Sequence, residues 1–388
     1  MISVDTTALK EVLSLLVPFA ADVQKESSSN LRVVMQAYDG SGLTLTGTQT
    51  RTKPAIEGTT KEPEEVFLMW LSLRIPATGH SGGDAGLDLP MLRRIAKLAS
   101  RPKAGPTTIE VKADGAVHVS VGGKKVALSG TDPVLPDLSA PGKSFPLPAA
   151  PIHDVMEAAL PMVSSDTTRE HLHSLQLAFG DAKMTAVSTD GHRLTLAQAP
   201  TRPHGKPFTK LLLAPLAEAI LKTLKLCIHN DVRLSVGVPD ATEANKDPAA
   251  LLFEANTPGG VTVRAYAAPR DLYFPPYENV MPSPDPDDTL LPLRRDAALP
   301  VVKQIEAIHK AGTSRSMGVT LSSPLDGEPS VSAISPYGGY TVYGPLPGLN
   351  RSGQGHISFN ISYLVEALEA CDSDVATIRF KGELDPFT

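Results

Sequence analysis

Apolar residues recur at helical spacing in three segments that begin about 145 residues apart. Within each segment they are three and four residues apart, which places them on one face of an amphipathic helix. The segments are 6–19 with Leu9, Val12, Leu13 and Leu16, a stretch near Pro148 with Ile152, Val155, Met156 and Ala159, and 296–310 with Val301, Ile305 and Ile308. Asp5 or Thr6 is placed to cap the first helix.

Each of these three helices is followed, further along the chain, by a second amphipathic helix that begins after a residue type suited to a helix start. The three sets are Leu92, Ile95, Ala96 and Ala99 behind Pro90; Ala217, Ile220, Leu221 and Leu224 behind Pro215; and Ile361, Leu364, Val365 and Leu368 behind Asn360. Between the helices, apolar and polar residues alternate in short runs that are separated by turn pairs such as Asp114-Gly115 and Gly122-Gly123. These runs predict antiparallel β-hairpins.

The threefold order of helix, strands, helix and strands predicts an α+β protein of three similar domains, each with two helices packed on antiparallel sheets. Prolines cluster at 133–151 and 274–292, where their missing amide hydrogens disfavour continuous helix or sheet. The predicted domains are 1–142, 143–288 and 289–388.

Two differences separate the repeats. Only the middle one has Asp190-Gly191-His192-Arg193 after its second strand. By itself this motif predicts a simple hairpin turn, in which His192 could be a buried structural histidine. The third repeat has one strand, VATIRF, after its second helix where the first has about three, so the third domain is expected to be short at its C-terminus.

Composition narrows the functional class. The 388 residues are 41% hydrophobic with a formal net charge of −6, which argues against nonspecific coating of nucleic acid over the whole surface. No apolar run is long enough to span a bilayer and the start has no basic region of a signal peptide, so we expect a cytoplasmic protein. Cys227 and Cys371 lack metal-binding spacing, and no metal or cofactor is expected.

Three segments, in the right order on this threefold repeat, resemble the bacterial sliding clamp, the beta subunit of DNA polymerase III. The most specific is 165–199, with DTTREHLHSLQLAF and AVSTDGHRL; the others are FPPYENVMP at 274–282 and FNISYLVEAL at 359–368. The resemblance covers essentially the whole chain. It implies a head-to-tail homodimer of six similar domains, a ring with helices lining the hole and sheets outside.

The resemblance also implies the function, which is not catalytic. Clamps of this family encircle duplex DNA without sequence preference and tether DNA polymerase III, the clamp loader and other DNA-processing proteins, so that synthesis is processive. Short peptides of these partners dock in an apolar pocket between the middle and third domains. Carried onto this sequence, the pocket comprises Leu172, Thr189, Gly191, His192, Arg193, Leu194, Pro275, Val280, Asn360 and Tyr363.

Basic residues on the predicted helices are the candidates for facing DNA, since sequence-independent attraction to phosphate suits sliding. They are Lys10, Lys25, Arg93, Arg94, Lys97, Arg101, Lys103, Lys222, Lys225, Arg294, Arg295, Lys303, Lys310 and Arg315. For ring closure, Lys125, Val126 and Leu128 match the first-domain strand that pairs with the other subunit. The opposing third-domain strand is expected in 325–335, with Asp326 and Glu328.

Two other functions stay open at this point. An enzyme could use Asp190, His192 and Arg193 with Ser188, but no second acid and no glycine-rich phosphate loop accompany them. A clamp-like paralogue could bind proteins through the pocket without encircling DNA, and its motifs would look the same.

Overall fold

The computed structural model describes most of the chain, and within it all strand pairing is antiparallel. The described residues are 1–25, 30–38, 42–53, 64–79, 82–100, 106–202, 207–237, 246–247, 249–311, 318–324, 326–334, 341–346, 354–382 and 386–388. They form two units, each with its own hydrophobic core: unit 1, Met1–Pro275, and unit 2, Pro276–Thr388. The three-domain boundaries stay a prediction.

The first half of unit 1 contains the two helices predicted there. Its elements are β1 (Ile2–Val4), α1 (Thr6–Lys25), β2 (Asn30–Tyr38), β3 (Gly42–Lys53), β4 (Glu64–Ile75), β5 (Ala77–Gly79), β6 (Gly82–Leu87), α2 (Leu89–Ala99), β7 (Thr107–Val111), β8 (Ala116–Val121) and β9 (Lys124–Ser129). Asp5 accepts a hydrogen bond from the Ala8 amide at 2.9 Å and caps α1. The helix continues beyond the predicted 6–19 because Val23 extends its buried face.

The second half of unit 1 repeats this pattern. Its elements are β10 (Lys143–Pro148), α3 (Ala149–Ala159), a 3-10 helix (Leu160–Met162), β11 (Ser174–Phe179), β12 (Lys183–Thr189), β13 (Leu194–Pro200), β14 (Phe208–Leu213), α4 (Ala214–Leu226), β15 (Asp231–Gly237), β16 (Lys246–Asp247), β17 (Ala250–Asn256), β18 (Thr262–Ala267) and β19 (Arg270–Tyr273).

One eight-stranded sheet runs through both halves of unit 1, in the order β10-β15-β17-β18-β4-β3-β2-β6. The pairing of β18 with β4 joins the halves. Helices α1 and α4 contact each other and both contact β4, so they lie side by side on one face of this sheet. At Gly47 of β3 a side chain would bring its Cβ to 2.8 Å from Leu16, so glycine allows α1 to pack closely on the sheet.

The four helices in the described part of unit 1 form a row. Helix α1 contacts α2 on one side and α4 on the other, and α4 in turn contacts α3. Three smaller sheets complete the described part of the unit, with strand orders β5-β1-β7-β8-β9, β13-β12-β11-β14 and β16-β19. In the five-stranded sheet β9 lies at the edge, and β13 lies at the edge of the four-stranded one.

The described residues of unit 2 form one helix pair and two sheets. Its elements are a 3-10 helix (Tyr277–Asn279), β20 (Thr289–Arg294), α5 (Arg295–Ala311), β21 (Gly318–Ser323), β22 (Ser330–Ile334), β23 (Thr341–Pro345), β24 (Gly355–Asn360), α6 (Ile361–Ala370) and β25 (Val375–Phe380). The sheets are β23-β22-β21-β24 and β20-β25. Thr388 also pairs with Arg379 through two backbone hydrogen bonds of 2.7 and 3.0 Å.

Two details of unit 2 differ from the sequence predictions. Helix α5 buries Ala298, Val302, Ile305 and His309, whereas Ile308 is 44% exposed. The prediction took Ile308 as core because it is apolar, and the buried face instead continues through a histidine. The second difference concerns ring closure. Segment 325–335, expected to supply an edge strand, contains β22, and β22 pairs with β21 on one side and β23 on the other. The edge strands of this sheet are β23, next to β22, and β24 at the opposite side.

No helix among the described residues has both the length and the apolar character needed to cross a membrane.

Candidate functional site

The motif Asp190-Gly191-His192-Arg193 forms the four-residue loop of the hairpin between β12 and β13, with Thr189 paired to Leu194 at its base. One Asp190 oxygen accepts hydrogen bonds from the amides of His192, at 2.9 Å, and Arg193, at 3.1 Å. The other accepts from Arg193 Nε at 3.0 Å. A single carboxylate therefore holds the loop closed, as aspartate does in Asx turns.

The remaining residues of the loop have different roles. Gly191 has φ +95°, a left-handed conformation that side chains rarely adopt. The Thr189 hydroxyl donates to the Arg193 carbonyl at 2.6 Å and accepts from the Gly191 amide at 3.1 Å. His192 is exposed, so the alternative of a buried structural histidine is wrong. The hairpin itself is the simple turn that its residues predict.

The charge of Asp190 is favoured by this geometry. Burial of the carboxyl acts to raise its pKa, but the amides of His192 and Arg193 and the Arg193 guanidinium outweigh that effect and hold the pKa of Asp190 below its ordinary value. A lowered pKa in the folded state means that the ionised carboxylate stabilises the fold above the unfolded pKa of about 4, and that this stabilisation is lost as the pH falls through the folded pKa.

Replacing Asp190 with alanine is expected to lower the free energy of unfolding of unit 1 by about 1 to 3 kcal/mol at pH 7, because three hydrogen bonds to an ionised group are lost. Urea denaturation measures this. Asp190→Asn is the matched control, since it keeps an acceptor oxygen and removes the charge. Its stability difference from the wild type should be constant from pH 5 to 7 and shrink below about pH 4; a pH-independent difference would contradict the assignment.

Two further predicted pocket residues belong to unit 1. Leu172 is buried, and its amide donates to the Arg169 carbonyl at 2.8 Å. The Arg169 side chain passes beside the hairpin loop, with Nη1 3.6 Å from where a Cβ on Gly191 would be. The structure thus brings segment 164–173 next to the Asp190 loop. Pro275, at the end of unit 1, is half-buried.

The predicted pocket residues of unit 2 differ from one another in exposure and in structural role. Val280 is 65% exposed, and the neighbouring Met281 is also exposed. Asn360 caps α6, because its Oδ1 accepts a hydrogen bond from the Ser362 amide at 3.0 Å. Tyr363 is half-buried in the first turn of that helix.

The basic candidates of unit 1 are concentrated on α2. Arg93, Arg94 and Lys97 are exposed, and no partner contacts them among the described residues. Lys97 lies four residues after Arg93 and three after Arg94, so the three cations share a side of the helix opposite its buried face. On the neighbouring helices Lys25 pairs with Asp22, Lys222 pairs with Glu218 at 3.4 Å, and Lys225 is exposed. Arg101 and Lys103 lie outside the described residues.

In unit 2 the basic candidates are engaged within the unit. Lys303 pairs with Glu369 of α6 at 2.7 Å, and Arg294 pairs with Asp296 at 2.9 Å. Arg295 donates to the Leu368 carbonyl at the end of α6 at 2.7 Å. Arg315 lies outside the described residues.

Lys310 belongs to the same set. It pairs with Glu306 at 2.7 Å, and Glu306 also accepts from the Ser362 hydroxyl at 2.6 Å. Although partial burial acts to raise the pKa of Glu306, these contacts hold it below its ordinary value, so the carboxylate is charged. The positive charges of the helix pair are therefore largely neutralised within unit 2.

The candidates for ring closure lie on β9, which has no second partner strand in the described part of unit 1. Lys125 is exposed and Val126 is half-buried. Leu128 is 4% exposed and belongs to the core of unit 1. In any pairing of this edge Leu128 would therefore contribute only its backbone.

The enzyme alternative finds no support in the arrangement. Ser188 is fully buried, and its hydroxyl donates to the Ala159 carbonyl instead of facing Asp190 or His192. Among the described residues, no group of three or more His, Cys, Asp and Glu side chains is placed to hold a metal ion.

No protein-family model matches the chain. Over 244 residues, 63% of this chain, it is 23% identical to the beta sliding clamp of Halalkalibacterium halodurans, and over 268 residues, 66% of this chain, it is 24% identical to that of Rickettsia bellii. The matched regions span 60% and 64% of those relatives.

Solved structures are similar over the whole chain. The DNA polymerase sliding clamp of Bacillus subtilis matches 100% of this chain and 94% of its own with a TM-score of 0.69 and 18% identity. The beta subunit of the Streptococcus pyogenes DNA polymerase matches the same shares with a TM-score of 0.71 and 17% identity. The predicted α+β architecture and the resemblance are confirmed, and the chain has the fold of the bacterial DNA polymerase sliding clamps.

Proposed function

We propose that this chain is a DNA sliding clamp without catalytic activity. Two copies close head to tail into a ring around duplex DNA, and the ring tethers DNA polymerase III, the clamp loader and other DNA-processing proteins in the cytoplasm. The observation that supports this best is the layered build of unit 1. Four helices lie in a row, two of them directly on one face of a continuous eight-stranded sheet, and exposed arginine and lysine side chains project from α2 and α4.

This arrangement suits a protein that holds DNA without fixing it in place. Long cationic side chains on helix surfaces attract phosphates irrespective of sequence, and such contacts exchange readily as the duplex moves. Retention then depends on ring closure rather than on affinity. We propose that β9 of one copy pairs with β23 of the other, because each is an edge strand whose second side is unpaired in the described part of its unit.

The peptide-binding function rests on the Asp190 loop. A partner peptide with leucine or phenylalanine anchors would contact Leu172 and Leu194, while the Arg193 guanidinium and the loop backbone donate hydrogen bonds to it. The hydrogen bonds of Asp190 fix the loop before a peptide arrives, which lowers the conformational entropy lost on binding.

The test of ring formation combines mass and topology. Sedimentation at micromolar concentration should give twice the 41.0 kDa mass of the chain. Rings reassembled around a nicked circular plasmid, by dilution and reconcentration, should remain on the circle during gel filtration and leave when a restriction enzyme linearises it. A monomer that is not retained on the circle but binds peptide would favour the clamp-like protein-binding paralogue.

A further inference from the structure

Glu170 lies between two arginines that are far from it in the sequence. One of its carboxylate oxygens accepts from Arg51 of β3, 119 residues away, and the other from Arg270 of β19, 100 residues away. The Glu170 side chain is 18% exposed and that of Arg270 is 6% exposed. The Arg51 side chain is 34% exposed. A carboxylate of such low exposure that holds two guanidinium groups is a strong, direction-specific anchor.

This anchor lies inside segment 164–173, which forms a closed loop before β11. The Ser164 amide donates to the Leu172 carbonyl at 3.0 Å, and the amides of Leu172 and His173 both donate to the Arg169 carbonyl at 2.8 Å. These bonds give the loop its shape, but they link it only to itself. Among the described side chains of the loop, Glu170 provides the ionic link to strands elsewhere in the sequence.

Segment 164–173 carries two side chains that matter for the predicted pocket. Leu172 is a predicted pocket residue, and Arg169 lies beside Gly191. Arg169 and Leu172 immediately flank Glu170 and His171, so a displacement of the Glu170 side chain changes the position of both. The placement of Arg169 against Gly191 is therefore determined in part by β3, a strand of the other half of unit 1.

We infer that Glu170, held by Arg51 and Arg270, is a positioning residue for the part of the peptide-binding site in unit 1. This inference rests on the proposed function for the identity of the ligand. Glu170 does not contact the peptide; it fixes the loop that does. Arg51 belongs to β3 of the eight-stranded sheet. Peptide affinity should therefore also depend on whether β3 holds its place in that sheet.

The experiment measures the loop and the ligand separately. In Glu170→Gln, which preserves side-chain size and removes the charge, hydrogen exchange at the amides of Ser164, Leu172 and His173 should accelerate tenfold or more, while β12 amides stay unchanged. Affinity for a labelled peptide with adjacent leucine and phenylalanine residues should fall about tenfold. Arg51→Gln, at the more exposed side of the anchor, should give the same pattern more weakly, and it keeps the test possible if Glu170→Gln does not fold.

A matched control separates positioning from general destabilisation. Ile109→Val removes one methyl group from a fully buried side chain of β7, away from the loop, and should leave peptide affinity and loop exchange unchanged. The inference is overturned if loop exchange stays at the wild-type rate in both anchor variants, if it rises equally in Ile109→Val, or if it rises without a loss of affinity. A wild-type chain that binds no peptide would contradict the proposed function, whereas the exchange measurement would still decide whether Glu170 positions the loop.

Discussion

Trp70→Ala should lower the free energy of unfolding of unit 1 by about 3 to 5 kcal/mol, the range for removing a fully buried large aromatic side chain. Trp70 is 0% exposed on β4 and is directly paired with Tyr266 on β18. The two rings stack at a centroid distance of 5.4 Å with an interplanar angle of 14°. The substitution therefore opens a cavity at the junction between the two halves of the unit.

A third group strengthens the same junction. The Arg264 guanidinium lies 5.6 Å from the centre of the Trp70 ring and donates to Glu254 at 2.9 Å and to the Leu138 carbonyl at 2.8 Å. Arg264 thus ties the segment that connects the two halves of unit 1 to the surface of the sheet. Removing the indole takes away a cation–π partner as well as apolar area.

Urea denaturation followed by circular dichroism measures this effect. Trp70 is the sole tryptophan, so the fluorescence transition of the wild type identifies which circular dichroism transition belongs to unit 1. Trp70→Phe should lower the free energy of unfolding less than Trp70→Ala does, because a six-membered ring can still stack on Tyr266. Leu226→Ala, at a 41% exposed position, should change stability by no more than about 0.5 kcal/mol. A loss below about 1 kcal/mol in Trp70→Ala would show that the junction does not depend on this stack.

Replacing Arg93, Arg94 and Lys97 together by glutamine should reduce the salt dependence of DNA binding by about 2.7 in the slope of log affinity against log salt, since each phosphate contact contributes about 0.9. At low salt the affinity should fall by one to two orders of magnitude. The reason is that these three cations are exposed and have no partner among the described residues, so their full charge is available to phosphate.

The matched control is the triple glutamine variant of Arg294, Lys303 and Lys310, which removes the same formal charge from unit 2. Because all three are ion-paired, their carboxylate partners cancel much of the field that a phosphate would experience, and the slope should change by less than about 1. Anisotropy of a labelled duplex between 25 and 150 mM salt, over which the Debye length falls from about 19 Å to about 8 Å, measures both. An equal reduction of the salt slope in the two triple variants would contradict the assignment of the DNA contacts to α2.

Local features were predictable from the sequence. The α2 start follows from Pro90, and in the structure the Asp88 side chain caps this start by accepting from the Met91 amide at 2.7 Å. The Asp190 loop follows from the preference of Asp-Gly for turns. Both depend on residues within three positions of each other. Helix periodicity also gave the right number of helices in the described residues, although for α5 it placed Ile308 in the core.

Features that depend on long-range contacts were not predictable. Nothing in the sequence near Glu170 indicates Arg51 or Arg270, and a pattern of alternating residues cannot tell an edge strand such as β23 from its inner neighbour β22. The same limit applies to charge: a helical wheel shows Lys303 as basic and exposed, whereas its neutralisation by Glu369 requires the packing of α5 on α6.

The pairing of β4 with β18 also has a mechanical consequence. The two strands run antiparallel from Thr262 opposite Arg74 to Ala267 opposite Met69, with hydrogen bonds perpendicular to the strand direction. A pull along the strands loads all these bonds at once, as in shear, whereas a pull at one end of an edge strand breaks them one after another. Tension transmitted through the chain should therefore rupture the outer edges of the sheets well before it separates the two halves of unit 1.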